Sequence, residues 1–192
     1  MTGLRDLPAP GPGNAPGRTA ASFFLAGTMQ GARPGSAVLD QSYRLALRSC
    51  IEERVPGAVV HDPGVLMARW EAGLRADVRA AHAALADTPV VRRRDLPPEL
   101  VALTDMFHRL TLLAARSDVC VAWLPGHEPS MGTAAELLSA HRAGRTVVSI
   151  TGMRQNLAVL ACSTLILPDL DAFADWLDHG RPDPARPSEG HR

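Results

Sequence analysis

The 192-residue sequence contains no lysine, so all 20 of its basic residues are arginine. This absence excludes mechanisms that need a lysine amine: Schiff-base catalysis, a lysine-anchored pyridoxal cofactor and a Walker-A phosphate loop. An excess of charge of either sign is lacking too, because 20 acidic residues balance the arginines. A chain of zero net charge offers no electrostatic reason to bind a nucleic-acid polymer.

Cysteine is also scarce. The three cysteines, Cys50, Cys120 and Cys162, have spacings that fit neither a zinc motif nor a CxxC redox motif. Cys120 and Cys162 lie in or beside apolar segments, which predicts buried free thiols and favours a cytoplasmic protein. No apolar run approaches the roughly 18 residues of a membrane span, and no signal-peptide pattern is expected. The histidines show no paired ligand spacing, so no metal site is expected.

Proline and glycine are concentrated at the two ends of the chain. Residues 1–20 hold four prolines and four glycines, and residues 180–192 have the same character. Such segments bury too little apolar surface to order themselves, so we expect a flexible arm and a flexible tail. Residues 21–179 then form one folded domain.

Within this domain, short apolar segments alternate with segments of helical spacing. Strands are predicted at residues 22–26, 58–60, 119–124, 146–150 and 164–167. Helices are predicted at residues 42–54, 66–85, 99–116, 132–143, 157–162 and 170–177. Strands that are apolar throughout are typical of a parallel sheet covered on both faces. The sequence therefore predicts an α/β, doubly wound, Rossmann-like or flavodoxin-like parallel sheet of about five strands.

Ligands of such sheets bind at the carboxyl ends of the strands, which directs attention to two loops. Gly27-Thr28-Met29-Gln30-Gly31 follows the first strand, and the segment from Pro125 to Gly132 follows the 119–124 strand. Glycine amides and hydroxyl groups at a helix N-terminus suit an anion. Each loop alone is better explained as a tight turn, and His127 and Glu128 as exposed polar residues rather than ligand contacts.

Glu136 is the residue with the sharpest chemical interpretation. We expect it in the first turn of its helix, where the helix dipole favours the ionised carboxylate. An ionised carboxylate beside a phosphate site suits attack on the anomeric carbon of a sugar. The alternative is structural, because Thr133-Ala134-Ala135-Glu136 matches a capping box, and spacing alone favours that alternative.

Three segments resemble the nucleoside 2-deoxyribosyltransferase superfamily. They are Ser130–Leu137 (SMGTAAEL) with the following Ala143–Val148, the opening Phe24–Gly31, and Ser117-Asp118 before an apolar strand. Ser130, six residues before the glutamate, resembles the branch of nucleoside 5′-monophosphate N-glycosidases. The transferases are expected to carry Asp there, and an Asp would repel a 5′-phosphate that a serine hydroxyl can bind.

The resemblance implies an enzyme that hydrolyses a nucleoside 5′-monophosphate to a free base and (deoxy)ribose 5-phosphate, without metal or organic cofactor. Glu136 is implied as nucleophile, Asp105 as the aspartate beside the sugar with Asp118 as its fallback, and Tyr43 as a contact of the phosphate or the carboxylate. The implied phosphate ligands are Gly27, Thr28, Ser130, Gly132 and Thr133. A homodimer is also implied, in which residues 153–156 complete the neighbouring pocket.

Two alternatives stay open at this point: a transferase that acts on free deoxynucleosides, and a nucleotide-binding protein without catalytic activity. A phosphoribohydrolase of the lysine-decarboxylase-like type is a further comparison, because Leu124-Pro125-Gly126 and Gly132-Thr133 partly resemble its motif. That family packs its PGG motif directly against GT, and the separation of the two parts here argues against it.

Overall fold

The computed structural model describes residues 20–29, 40–73 and 76–180. The arm predicted for residues 1–20 and the tail predicted for residues 180–192 therefore lie almost entirely outside the described residues, as do Gln30 and Gly31 of the first loop. Within the described ranges, no helix is both long enough and apolar enough to cross a membrane.

Strands and helices alternate along the described chain. The strands are β1 (Ser22–Ala26), β2 (Val59–His61), β3 (Val119–Leu124), β4 (Thr146–Thr151) and β5 (Leu165–Leu167). The helices are α1 (Ser42–Arg54), α2 (Pro63–Ala72), α3 (Ala76–Ala83), α4 (Pro98–Arg116), α5 (Met131–Arg142), α6 (Leu157–Cys162) and α7 (Leu170–His179). Short 3-10 turns at Ala84–Asp87 and Arg93–Asp95 occupy the break before α4.

The five strands form one parallel sheet in the order β2-β1-β3-β4-β5. This order confirms the predicted doubly wound fold and is the flavodoxin-like variant of it. From β1 the chain first moves outward to β2, then returns to the other side of β1 as β3. The crevice for a ligand therefore lies between the carboxyl ends of β1 and β3.

Helices cover both faces of the sheet. On one face, Phe23 and Leu25 of β1 pack with buried residues of α1 and α7, including Leu47 and Phe173. On the other face, Phe24 of β1 packs with buried residues of α4 and α5, namely Leu110, Ala114, Leu137 and Ala140. Because successive side chains of a strand point to opposite faces, two covered faces explain why the strands are apolar throughout.

Several helix boundaries differ from the sequence-based expectation; α4 begins at Pro98 instead of residue 99, and α7 ends at His179 instead of residue 177. The helix predicted over residues 66–85 is instead two helices, α2 and α3. Helix α2 begins at Pro63, and proline suits this position because the first N–H groups of a helix have no partner within the helix, so its lack of an N–H costs no hydrogen bond. Helix α5 begins at Met131, one residue early, because Ser130 caps it. The prediction that Cys120 and Cys162 are buried free thiols is confirmed, and Cys50 is buried and free as well. Gly144, just after α5, has φ +67°, the left-handed conformation that glycine adopts readily at the end of a helix.

Candidate active site

The loops after β1 and β3 meet at the crevice. The Thr28 hydroxyl donates to the backbone oxygen of Glu128 over 3.5 Å. A Cβ atom built on Gly27 would collide with the Tyr43 hydroxyl and lie 3.0 Å from the backbone oxygen of Trp123. Glycine is therefore needed at position 27 because Tyr43 and β3 approach its backbone closely.

Tyr43 lies beneath the first loop, on α1. Its hydroxyl donates to the backbone oxygen of Thr28 at 3.3 Å, and its ring meets the Trp123 ring edge-on with centroids 5.9 Å apart. Burial raises the pKa of Tyr43, with Arg44 opposing the shift and Glu136 adding to it. The structure thus brings Tyr43 to the loop that the sequence assigned to phosphate binding, within the field of Glu136.

The N-terminus of α5 forms the other wall of the crevice. Ser130 caps the helix, since its Oγ accepts the Thr133 N–H at 3.2 Å. The amide of Thr133 is therefore engaged, whereas the hydroxyl proton of Ser130 and the amide of Gly132 stay available as donors. Thr133 itself is 2 % exposed, and its Oγ1 has no hydrogen-bond partner among the described residues.

The capping-box interpretation of Glu136 is wrong. Because α5 begins at Met131, Glu136 is the sixth residue of the helix, beyond its first turn. The N-cap is Ser130 rather than Thr133, so Glu136 has no N-cap amide to bind. The side chain is 8 % exposed, and no described residue donates a hydrogen bond to its carboxyl group.

The expectation that the helix dipole ionises Glu136 is also wrong. Burial raises the pKa of the Glu136 carboxyl to about 8, and the nearby Arg44 offsets only part of the effect. Cys120, on the strand beneath, has its pKa raised by its own burial and further by Glu136. The carboxyl group is thus mostly protonated at neutral pH, and a strongly shifted group in a crevice is typical of functional sites.

Arg44 is a site residue that the sequence analysis missed. Its side chain is buried and lies 3.6 Å from the Asp62 carboxylate, and its guanidinium donates to the backbone oxygens of Leu25 and Gly27. The signal was present in the helical spacing. Arg44 precedes the buried Leu47 by three residues, so it continues the apolar stripe of α1, where an arginine is stable only when paired.

Asp105 stands apart from this crevice. It lies on α4, its side chain is 53 % exposed, and its carboxylate lies 3.7 Å from the guanidinium of Arg93. Phe107, whose ring faces Gly132, is two positions further along α4. Two residues correspond to about 200° of helical rotation, so Asp105 lies on a different side of α4 from the contact with α5.

Asp118, the fallback for Asp105, lies at the wrong edge of the sheet. Its Oδ2 accepts hydrogen bonds from the N–H and the hydroxyl of Ser22, at 2.8 and 2.7 Å. These bonds join the amino ends of β1 and β3. A role beside the sugar is therefore wrong for Asp118, which instead fixes the start of two strands.

An apolar cleft of about 170 Å³ adjoins the α5 N-terminus, on the side of α6. It is lined by Leu124, Ser130, Thr133, Leu137, Met153 and Val159 among others, and Glu136 is not part of its lining. Of the residues expected to reach a neighbouring pocket, Met153 is buried here, and Asn156 caps α6 by accepting the Ala158 N–H at 3.0 Å. In the described ranges, no three His, Cys, Asp or Glu side chains are grouped to hold a metal ion.

No family model matches the chain, and no curated protein matches it. Among solved structures, the chain is similar to a 2-deoxyribosyltransferase from Bacillus psychrosaccharolyticus, with 16% identity and a TM-score of 0.49 over 81% of this chain and 91% of that chain. It is also similar to a conserved protein from Enterococcus faecalis V583, with 15% identity and a TM-score of 0.48 over 83% of this chain and 98% of that chain.

The burial of Glu136 predicts a pH dependence of stability. In the folded protein the carboxyl keeps its proton up to about pH 8, whereas the unfolded chain releases it near pH 4.5. Between these values folding takes up a proton, so the free energy of unfolding falls as pH rises. Glu136→Gln removes this titration and should stabilise the protein at pH 8 relative to wild type, by on the order of a few kcal/mol, with little difference at pH 4.5.

Urea denaturation of both proteins at the two pH values measures this difference. Glu53→Gln is the matched control, because the side chain of Glu53 is 69% exposed and its substitution should leave the pH dependence unchanged. Equal pH dependence in wild type and Glu136→Gln would contradict the buried, protonated state of Glu136.

Proposed function

We propose that this protein hydrolyses the N-glycosidic bond of a nucleoside 5′-monophosphate, releasing the free base and ribose or deoxyribose 5-phosphate. The proposal rests on the carboxyl group of Glu136, which is buried and does not take part in capping its helix. It lies on the helix whose N-terminus presents Ser130 and Gly132 to the crevice, opposite the loop of Thr28. The resemblance of the same residues to the nucleotide N-glycosidases supports this proposal.

In the proposed reaction Glu136 acts in its ionised form. Its carboxylate attacks C1′ while the bond from C1′ to the base breaks, and the base leaves with the bonding electron pair. A glycosyl ester of Glu136 results. Water then attacks C1′, giving its hydroxyl group to the sugar and its proton to the released base, and the carboxylate is regenerated with net retention at C1′.

The raised pKa of Glu136 fits this cycle. A carboxylate that is poorly solvated is a stronger nucleophile than one hydrated by water, and the fraction in this form grows as pH approaches about 8. Arg44, the nearby cation, favours the ionised form. Hydrogen bonds donated by sugar hydroxyl groups would favour the ionised form further when substrate binds.

The predicted homodimer remains part of the proposal.

A base-release assay tests the activity. The protein is incubated with CMP, dCMP, UMP, dUMP, dTMP, AMP, dAMP, GMP and dGMP, and in parallel with the matching nucleosides, and free base is separated by chromatography. We expect base from monophosphates only. Glu136→Gln should lower the rate by at least about a thousandfold, because a neutral amide cannot form the ester, while Glu53→Gln retains full activity.

Each other result contradicts part of the proposal. Full activity in Glu136→Gln would remove the nucleophile role. Base released or exchanged only from free nucleosides would make the protein a transferase. Thermal stabilisation by a nucleotide with no base from any substrate would make it a binding protein.

Ser130 offers a test of the phosphate role. Ser130→Asp keeps a good N-cap residue, but places a carboxylate where the phosphate dianion is expected. The resulting repulsion should lower kcat/KM for a monophosphate by roughly a hundredfold. Ser130→Asn is the matched control, since it caps equally well without charge and should retain most of the activity. Equal losses in the two variants would show that position 130 does not face the phosphate.

A further inference from the structure

Three side chains at the start of α1 bind the backbone oxygens of the first loop. Gln41 Nε2 donates to the backbone oxygen of Thr28 at 3.1 Å, and the Tyr43 hydroxyl donates to the same oxygen at 3.3 Å. The Arg44 guanidinium donates to the backbone oxygen of Leu25 and, at 3.0 Å, to that of Gly27. We call Gln41, Tyr43 and Arg44 together the carbonyl clamp.

The clamp is itself held together and charge-balanced. Arg44 Nε donates to Gln41 Oε1 at 2.7 Å, so the two members cannot move independently. Asp62 balances the Arg44 charge at 3.6 Å, and its Oδ1 also accepts the Gly64 N–H at 2.8 Å. A buried arginine with several fixed partners is rigid, so the backbone carbonyl groups that it binds are held in fixed orientations.

Drawing the carbonyl groups towards α1 turns the amide groups of the same peptide units away from it. Every described peptide bond is trans, and in a trans peptide C=O and N–H point in opposite directions. The oxygens of Gly27 and Thr28 belong to the same peptide units as the N–H groups of Thr28 and Met29. Neither of these N–H groups has an acceptor among the described residues, and two successive amides of this kind suit an anion.

One contact brings the first loop close to the segment that leads into α5. The Thr28 hydroxyl reaches the backbone oxygen of Glu128, in the segment that leads to Ser130. The positive charge of Arg44 lies behind the loop, which favours an anion in front of it. Asp62 and Gln41 also face Arg44, the Tyr43 ring centroid lies 5.2 Å from its guanidinium carbon, and Glu136 interacts with it through space.

We propose that the carbonyl clamp directs the amide groups of Thr28 and Met29 into the crevice, where they bind the substrate's phosphate group. Gln41 and Arg44 are positioning residues in this proposal, because they act through the loop rather than on the substrate. The proposal rests on the proposed function only in taking the bound anion to be the phosphate of a sugar phosphate.

Amide NMR with ribose 5-phosphate and ribose as probes tests the clamp without any turnover. On titration of the wild-type protein with ribose 5-phosphate, we expect the Thr28 and Met29 amide signals to shift, and ribose at the same concentration to leave them unchanged. Unmoved Thr28 and Met29 signals, or equal shifts with ribose, would overturn the proposal.

Three variants separate geometry from charge. Arg44→Lys keeps the positive charge but replaces the guanidinium fork by a single ammonium group, and Gln41→Leu removes the donor to Thr28. Both should weaken ribose 5-phosphate binding about tenfold, the loss expected for misdirected charge-assisted hydrogen bonds. Arg48→Gln is the control. Arg48 lies 3.8 Å from Asp62 without touching the loop, so binding should stay within about twofold of wild type.

The outcomes also distinguish the clamp from the proposed function. Wild-type affinity in both Arg44→Lys and Gln41→Leu would overturn the clamp, as would an equal loss in Arg48→Gln. If Arg44→Lys fails to fold, Gln41→Leu decides alone. Binding that depends on the clamp but is accompanied by no base release would contradict the proposed hydrolysis and leave the clamp standing.

Discussion

Glu136 is a carboxyl group that the packing of α5 against the sheet keeps out of water. It is 8 % exposed, no described residue donates a hydrogen bond to it, and its pKa rises to about 8. Arg44 offsets only part of this rise in pKa. Its guanidinium also donates hydrogen bonds to two backbone oxygens and lies beside the Asp62 carboxylate. A folded protein retains such a group at a cost in stability, and sites of that kind are where function is concentrated.

The strand order explains how the groups around this carboxyl come together. Since β1 and β3 are neighbours, the loops that follow them meet, and α1 and α5 begin on either side of that meeting point. Helix α1 brings the carbonyl clamp and α5 brings Ser130 and Glu136. The crevice thus brings amide and hydroxyl groups near a carboxyl group whose pKa is raised to about 8, and the proposed cleavage of a nucleotide's glycosidic bond uses both.

The sequence predicted the fold well because the evidence for it is local. Apolar runs placed β1 and β3 at their observed bounds, helical spacing did so for α1, and the short segment expected to be helical at residues 157–162 is α6. The charge state of Glu136 was predicted wrongly, because it depends on burial by elements distant in the chain. The pairing of Arg44 with Asp62 was missed for the same reason. The position of Asp105 depends on the rotation of α4, which a motif spacing does not fix.

In the proposed mechanism, Glu136 forms a covalent bond to C1′ of the sugar during turnover. Mass spectrometry of protein quenched with acid during reaction with a cleaved monophosphate tests it directly. We expect a fraction of the wild-type protein to carry the mass of a (deoxy)ribose 5-phosphate unit, mapped by peptide analysis to Glu136, and none in Glu136→Gln. An adduct on another residue, or base release without any adduct and with inversion at C1′, would contradict the proposed role of Glu136 as the nucleophile.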